Sequence, residues 1–368
     1  MHWKEHMPKP VREMEFVEYA TFHEERPVKV DCSLGTNPMG SPECVREILS
    51  AGKFKDPCVY PGDNLPFRKA LSDSWNGAFA PEEVIFGTGS IGLIISLART
   101  FCAPGAKVLG ASPQFPDASM HFQFAGASYR TVPLSPPDYT LDLASLIEAM
   151  TGDESIVYLD RPHNPTGQVP PLPEIEPLAE ACRKQGSLLV IDEAYGDFLP
   201  VRESGIMLKH SSIIVLRSFS KGRGLAGIRT GYAVVRDPEA RRFIRKVAPP
   251  FSVSSIAIDL ATASLRDEEF SHRSIEAVRT VKEKVVQTIS GTPGFSVAAT
   301  HPQVPILLVS SAAVGEDLYD LLMDHGIRTE SGTCFEGLGP ESVRLRVPPP
   351  EQLPEFMELW RAATGRGQ

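Results

Sequence analysis

Between residues 83 and 235, short and nearly continuous apolar runs alternate with segments of helical periodicity. Apolar runs of this kind are typical of strands that are covered on both faces. The alternation therefore predicts an α/β domain, a three-layer α/β/α arrangement with a mostly parallel sheet. The candidate strands are Glu83–Phe86, Lys107–Gly110, Ser155–Leu159, Leu188–Asp192, Ser212–Arg217 and Thr230–Val235, and the candidate helices include Ile91–Phe101, Phe115–Ala125 and Glu174–Gln185.

The pattern changes after about residue 250, where longer helical segments precede two short strand candidates. This predicts a second, smaller α+β domain over residues 251–368. Residues 1–36 lack strong periodicity, and we interpret them as an arm that packs with the small domain, which leaves residues 37–250 as the large domain. The candidate elements after residue 250 are helices Ser255–Leu265, Glu268–Ser290 and Gly315–His325 and strands Pro305–Ser310 and Val343–Val347.

Charge and composition argue against several classes of protein. The chain has 46 acidic and 37 basic residues and a net charge of −9, without the basic stripe of a nucleic-acid binder. No segment approaches the ~18 apolar residues that span a bilayer, and the first residues lack the apolar core of a signal peptide. No cysteine pair has C-x-x-C spacing, so we expect no zinc or other metal site and no disulfide scaffold. We therefore expect a cytoplasmic protein with reduced thiols.

One glycine motif is misleading. Gly222–Gly227 matches G-x-G-x-x-G after a strand candidate, and the acidic Asp237 and Glu239 follow the next strand, as in a dinucleotide-binding fingerprint. However, that next strand begins near Thr230, about three residues after the last glycine. A parallel crossover needs a dozen or more residues, usually as a helix. The spacing therefore argues against nicotinamide dinucleotide binding.

Two glycine-containing segments follow strand candidates and could bind a ligand. Gly87–Ser90 leads into an apolar helix, so its backbone N–H groups and the helix N-terminus could face a phosphate. A tight turn before a helix explains this segment equally well. Asn164–Gly167 could also be a structural turn. Neither segment is specific alone, but ligands of α/β sheets bind beyond the carboxyl ends of the strands.

Two charged residues make the same strand ends chemically unusual. Asp192 closes a buried apolar run, where a carboxylate is costly unless a cation pairs with it. Lys221 follows the strand that ends near Ser218, and burial or a neighbouring cation would lower its pKa and make its amine nucleophilic. A capping aspartate and a solvated loop lysine are the simpler alternatives. Together with Arg229, however, these parts match what pyridoxal phosphate needs: a Schiff-base lysine, an acidic partner for the ring nitrogen and donors for the phosphate.

The motifs N-P-T-G at 164–167, D-E-A-Y at 192–195 and S-F-S-K at 218–221 occur in this order. The last motif continues as G-L-A-G-x-R-x-G-Y, ending at Tyr232. This set resembles the fold-type I, pyridoxal-phosphate-dependent class I/II aminotransferases, in particular the histidinol-phosphate aminotransferase branch. The resemblance covers roughly residues 30–350. It implies pyridoxal 5'-phosphate as the cofactor and the large and small domains of that fold.

The resemblance also implies roles for individual residues. Lys221 would form the aldimine with the cofactor and then act as the base, and Asp192 would pair with the ring nitrogen. Asn164 and Tyr195 would hydrogen-bond the phenolic oxygen, and Phe115 would stack on the ring. The phosphate would be held by Ser218, Ser220, Arg229 and the backbone amides of Ser90 and Ile91.

The remaining implied residues concern the substrate and a second subunit. Arg344 would bind the substrate carboxylate, and Arg346, on the same face of a strand, would bind a second anionic group or be a surface arginine. Asn37 is a further substrate-binding candidate. Tyr60 resembles the tyrosine that reaches the neighbouring subunit's cofactor phosphate, which predicts a homodimer with shared active sites.

The predicted reaction is transfer of an amino group between an amino acid and a 2-oxo acid. The alternative is a decarboxylase or lyase of the threonine-phosphate decarboxylase type, because the same residues serve whichever Cα bond is aligned with the ring. The sequence departs from the branch at Ile91, His163 and Phe115 and at the prolines 348–350. A specialised amino-acid substrate is therefore as compatible with these motifs as histidinol phosphate.

Overall fold

The computed structural model describes residues 2–15, 17, 26–56, 58–312, 315 and 317–365, so residues 1, 16 and 18–25 of the predicted arm lie outside the described part. The strands, numbered along the chain, are β1 Val30–Asp31, β2 Val84–Gly87, β3 Lys107–Ser112, β4 Ser128–Pro133, β5 Glu154–Asp160, β6 Leu188–Glu193, β7 Ile213–Ser218, β8 Gly231–Val235, β9 Phe295–Val297, β10 Ile306–Ser311, β11 Ile327–Arg328, β12 Glu330–Ser331 and β13 Ser342–Arg346. The α-helices are α1 Lys9–Glu13, α2 Glu43–Ala51, α3 Leu65–Ser74, α4 Gly89–Phe101, α5 Pro116–Phe124, α6 Leu143–Ala149, α7 Leu172–Gln185, α8 Pro238–Val247, α9 Ser255–Leu265, α10 Glu268–Ser290, α11 Leu318–Asp324 and α12 Leu353–Thr364.

The large sheet has the strand order β2-β8-β7-β6-β5-β3-β4. Its neighbours from β7 to β4 are parallel, whereas β8 runs antiparallel to both β2 and β7. The predicted α/β fold with a mostly parallel sheet is confirmed. Because β8 is antiparallel to β7, the chain needs only a loop between them, and the glycine motif lies in that loop. Gly224 is required there, since its φ is 67° and a Cβ would lie 2.1 Å from the carbonyl oxygen of Gly40.

Alternating side chains of the large sheet pack against helices on its two faces. In β5, Val157 and Leu159 join the apolar cluster that includes Ile175 of α7. Ile156 and Tyr158 point the other way, into the cluster that includes residues of α4 and α5. Since successive side chains of a strand face opposite sides, each strand is buried on both faces. The result is the predicted arrangement of helices, sheet and helices.

A second, smaller sheet follows in the chain, with the order β12-β13-β10-β9 and antiparallel neighbours. Helices α10, α11 and α12 contribute to its apolar cluster. The arm joins this region, because β1 pairs with β11 through Val30–Ile327 and Asp31–Arg328. Helix α9, which follows residue 250, contacts α2 and α3 and belongs to the cluster of the large sheet. The division of the chain at residues 36 and 250 stays a prediction.

Helices α9 and α10 have the bounds that the sequence predicts, and the predicted large-domain strands differ from the observed ones by one or two residues at their ends. Within the described ranges, no helix is long and apolar enough to cross a membrane. The same ranges contain no group of three or more His, Cys, Asp or Glu side chains arranged to hold a metal ion.

Candidate active site

A cavity of about 570 Å³ lies at the carboxyl ends of β5, β6 and β7, which is where ligands bind in α/β sheets. Ten of the predicted site residues line it, from five separate parts of the sequence. They are Ser90, Ile91, Phe115, Asn164, Asp192, Tyr195, Ser218, Ser220, Lys221 and Arg229. The fold thus brings together residues that are up to 139 positions apart, between Ser90 and Arg229.

Lys221 lies in the loop between β7 and β8, where two antiparallel strands hold both ends of the loop. Its Nζ is 5.5 Å from the ring centroid of Tyr195. Burial, together with the positive charges of Arg344 and Arg229, lowers the pKa of Lys221 to about 7. A large fraction of this amine is therefore neutral near neutral pH and can act as a nucleophile or a base.

Asp192 lies near the end of β6 and is 3% exposed. Its Oδ2 accepts a hydrogen bond from the Tyr158 hydroxyl at 3.0 Å, and its Oδ1 accepts one from the Ala194 amide at 3.0 Å. Burial and the negative charge of Asp160 raise the pKa of Asp192 to about 7. A positive group placed beside this carboxylate would offset both effects.

The cavity also carries donors suited to a phosphate. The N-terminus of α4 presents the Ser90 and Ile91 region, and anions are favoured at such termini. Arg229, in the left-handed conformation with φ 52°, directs Nη1 towards Ser220 Oγ at 3.4 Å. Gly89 leaves room for it, since a Cβ there would lie 3.1 Å from Arg229 Nη2. Together with the buried carboxylate of Asp192, this donor set fits a molecule that carries both an anionic and a cationic group.

Three further predicted residues, Phe115, Asn164 and Tyr195, also line the cavity. Phe115 precedes α5, and Asn164 follows β5. The backbone amide of Asn164 donates to Asp160 Oδ2 at 3.0 Å, which fixes the loop that carries its side chain. Tyr195 is 4% exposed and packs against Gly35 so closely that a Cβ at that position would lie 1.7 Å from the Tyr195 hydroxyl. The arm therefore helps to place this tyrosine.

Four predicted residues are not among those that line the cavity. Tyr60 is 77% exposed and stacks on Phe251 with a centroid separation of 4.8 Å. Asn37 is buried and donates to the Gly222 carbonyl at 2.8 Å, next to Lys221. The two arginines of β13, Arg344 and Arg346, are buried between the small sheet and the arm.

The two arginines differ in their contacts. Arg344 donates through Nη2 to the Ser33 carbonyl and lies 3.6 Å from Glu330, and its charge acts on Lys221. Arg346 donates to backbone carbonyls through all three nitrogens: Nε to Leu34 at 3.0 Å, Nη1 to Val347 at 3.0 Å and Nη2 to Asp31. Arg346 therefore fixes the arm to β13 in this structure.

Two carboxylates of the cavity were not assigned a role from the sequence. Asp160 and Asp117 both line it, and burial raises the pKa of Asp117 to about 6. The signal for Asp160 was present in the sequence, because a polar residue closes a strand directly before the Asn164 loop. Asp117 lies in the first turn of α5, where carboxylates are common because they interact favourably with the helix dipole, so nothing in the sequence assigned it to a site.

Comparison with known proteins gives the same family as the motifs. The model of the family "Aminotransferase class I and II" matches residues 32–359. A histidinol-phosphate aminotransferase of Haloquadratum walsbyi is 31% identical over 334 residues, which cover 90% of this chain and 85% of the relative. Another, of Halorubrum lacusprofundi, is 36% identical over 277 residues, which cover 75% and 72%.

Solved structures share the fold. The histidinol-phosphate aminotransferase of Sinorhizobium meliloti, in complex with pyridoxal-5'-phosphate, has a TM-score of 0.78 at 22% identity, covering 93% of this chain and 92% of that one. The enzyme of Clostridium acetobutylicum has a TM-score of 0.82 at 20% identity, covering 92% and 99%. These relatives favour amino-group transfer over the decarboxylase alternative. The chain is an enzyme, a transferase, and belongs to the class I and II aminotransferases.

Proposed function

We propose that this aminotransferase binds pyridoxal 5'-phosphate through Lys221 and moves an amino group between an amino acid and a 2-oxo acid. The observation that carries the proposal is the pairing of a lysine with a lowered pKa and an aspartate with a raised pKa in one cavity. The amine is ready to react with an aldehyde, and the carboxylate favours a cation. When bound, the cofactor's ring would delocalise the electron pair left at the substrate Cα.

The residues of the cavity would each hold one part of the cofactor. Asp192 would keep the proton on the ring nitrogen, and Phe115 would pack on the ring face. Asn164 and Tyr195 would donate to the phenolic oxygen. The phosphate would be bound by Ser218, Ser220, Arg229 and the backbone amides of Ser90 and Ile91, where the guanidinium and the helix N-terminus both favour an anion.

Lys221 would move the proton in each half-reaction. A pKa that burial lowers to about 7 makes the neutral amine accessible near neutral pH. The neutral Nζ can take the proton from the substrate Cα and return it one position further along the same π-system. A general base works best when its pKa lies near the working pH. Burial, which lowers this pKa, therefore serves the reaction directly.

Of the two arginines of β13, we propose Arg344 as the group that binds the substrate carboxylate. Its charge already acts on Lys221 and its Nη2 donates to the Ser33 carbonyl, whereas all three nitrogens of Arg346 donate to backbone carbonyls. Asn37 donates to Gly222 and to Ser274 in the same way. Direct substrate binding by Arg346 or Asn37 would require these bonds to break, so we propose that both position the arm and the Lys221 loop.

We further propose that the active form is a homodimer in the cytoplasm. The exposed aromatic pair of Tyr60 and Phe251 is a suitable contact for a second subunit, and Tyr60 would then reach the partner's phosphate site. The six cysteines are free thiols, which suits a reducing compartment. Sedimentation of the purified protein tests the dimer: a monomer with full activity contradicts the role of Tyr60.

The experiment for the central proposal is a screen of amino donors against protein reconstituted with pyridoxal phosphate. Histidinol phosphate belongs in the screen because the relatives act on it by name, together with common amino acids. We expect at least one donor to convert the visible absorbance to that of the amino form of the cofactor, and 2-oxoglutarate to reverse the change. Stable absorbance with release of carbon dioxide would instead support a decarboxylase.

A further inference from the structure

A second buried carboxylate stands beside Asp192. Asp160 ends β5, and the two aspartates are register partners in neighbouring parallel strands. Adjacent strands lie about 4.8 Å apart, so the two charges are close. Each residue is 3% exposed, and both line the cavity.

Hydrogen bonds hold Asp160 as an acceptor. Its Oδ1 accepts from Gln114 Nε2 at 3.0 Å, and its Oδ2 accepts from the Asn164 amide at 3.0 Å. Gln114 Oε1 in turn accepts from the Tyr129 hydroxyl at 2.5 Å and from the Ala111 amide at 3.2 Å. These partners fix the orientation of the Gln114 amide so that its NH₂ group faces Asp160.

No lysine or arginine in the described part of the chain forms an ion pair with Asp160. The nearest ionisable base is His163, whose Nε2 is 4.0 Å from Asp160 Oδ1. That nitrogen is 2.9 Å from the carbonyl of Pro113, to which it donates, and Nδ1 is 2.8 Å from the Thr166 hydroxyl. The imidazole is thus engaged by uncharged groups. A cation on the ligand, placed beside Asp192, would compensate a charge that no ion pair of Asp160 offsets in the described residues.

The effect of Asp160 on its neighbour agrees with this geometry. After burial, the negative charge of Asp160 is the largest cause of the raised pKa of Asp192. Tyr158, which donates to Asp192, also has a pKa raised by burial and by the charges of Asp192 and Asp160. Two carboxylates in one buried place repel each other, and a positive ring nitrogen relieves the repulsion.

We propose that Asp160 is a positioning residue that acts through Asp192: its buried carboxylate adds a second negative charge at this end of the cavity, so the site selects a positively charged ring over a neutral one of the same shape. The inference rests on the proposed function, since it concerns the ring nitrogen of pyridoxal phosphate. It adds to the role of Asp192 a second negative charge, which makes the site select a positively charged ring more strongly than Asp192 would alone.

The test compares two probes on cofactor-free protein: pyridoxal phosphate, and its analogue with carbon in place of the ring nitrogen. Dissociation constants are measured by fluorescence for the wild type and for Asp160→Asn. We expect the preference for pyridoxal phosphate over the analogue to fall about tenfold in Asp160→Asn. This is the change in affinity expected when a unit negative charge is removed ~10 Å from the positive ring nitrogen, at an effective dielectric of about 20. A purely structural role would weaken both probes equally and leave the ratio of their affinities unchanged.

A matched control is available on the same strand. Glu154→Gln also removes a buried carboxylate, but at the first residue of β5, about 20 Å from Asp160. We expect this variant to change the ratio less than twofold. An equal loss of preference in Glu154→Gln and Asp160→Asn would overturn the inference.

A second variant covers the case in which Asp160→Asn does not fold. Gln114→Glu combined with Asp160→Asn exchanges amide and carboxylate, which keeps their hydrogen bond and moves the charge away from Asp192. For this double variant, we expect the ratio of affinities for the two probes to lie between the ratios of the wild type and of Asp160→Asn. A ratio equal to that of the wild type would count against the inference. Failure of the wild type to bind pyridoxal phosphate would sink the proposed function, whereas an unchanged ratio in the variants sinks only this inference.

Discussion

Predicted site residues lie both at the edge of the large sheet, where β5, β6 and β7 end, and in the wall, the region where the arm packs against β13. In the first region they line the cavity, whereas in the second they connect distant segments of the chain. At the sheet edge, Asp192 and Lys221 line the cavity and have strongly shifted pKa values. In the wall, Arg346 donates to a backbone carbonyl of a distant segment, and Asn37, directly after the arm, does the same. A residue's type and position in the sequence therefore predict a ligand-binding role less well in the wall, where distant segments of the chain meet, than at the sheet edge, where strands end at the cavity.

The largest expected effect tests the sheet edge. Lys221→Ala should lower turnover at least ~10³-fold, because it removes the base and the amine that holds the cofactor. The visible absorbance of the bound cofactor should disappear as well. Both are measured on the same reconstituted sample. If turnover is retained, the residues at the sheet edge do not carry out the reaction.

The next effect concerns the carboxylate of the same edge. Asp192→Ala should lower turnover by about 10²–10³-fold, the range found when one preorganised electrostatic group is removed from an active site. Tyr158→Phe provides the matched comparison, since it removes only the hydroxyl that donates to Asp192. We expect a loss of no more than about tenfold there. Similar losses in both variants would mean that the hydrogen bond, rather than the charge, matters.

A smaller effect separates the two arginines of the wall. Arg344→Leu should raise KM for the amino donor about 10- to 100-fold, because a charge-assisted hydrogen bond to the carboxylate is lost. Arg346→Leu should raise KM less than about threefold but lower the melting temperature, since it leaves buried carbonyls of the arm without donors. If the order of the KM effects is reversed, Arg346 is the substrate ligand and the proposed difference between the arginines is wrong.

The smallest effect is a pH dependence. Lys221 has a lowered pKa of about 7, so its amine is charged below that pH and neutral above it. Acylation of Lys221 in cofactor-free protein, followed by mass spectrometry, should therefore speed up as the pH rises through about 7 and level off above about 8. Arg344→Leu should move the midpoint upward, because the positive charge of Arg344 contributes to the lowering. A midpoint near the ordinary lysine value would contradict the burial of this amine.

The sequence was sufficient to predict the parallel core of the fold. Continuous apolar runs such as residues 188–191 are typical of strands that are buried on both faces, and this made β6 and its neighbours recognisable. Strand β4 was missed because it lies at the edge and alternates exposed and partly buried residues. Its polar residues, including Arg130 and Thr131, give no apolar run. Strands β1, β11 and β12, of two residues each, carry too few side chains for any periodicity.

The candidate site was predictable to the extent that strand ends and motifs define it. The sequence could not show which side-chain donors are already engaged by other parts of the fold. Arg346, for example, donates to the carbonyl of Leu34, which lies 312 residues away in the sequence. Asp160 was assigned no role for a related reason: its strand-end position is visible in the sequence, but the register that places it beside Asp192 is a tertiary property.

The pairing of β1 with β11 has a consequence for the order in which the enzyme is built. Val30 leaves the ribosome about 300 residues before its partner Ile327. At roughly 5–20 residues per second, the arm waits about 15–60 s for the strand that holds it. The large sheet can collect its strands during that time, while the wall beside Arg344 is still missing. Leu34 and Thr36 of the arm, which line the cavity, are therefore held in place only after β11 and β13 have been synthesised.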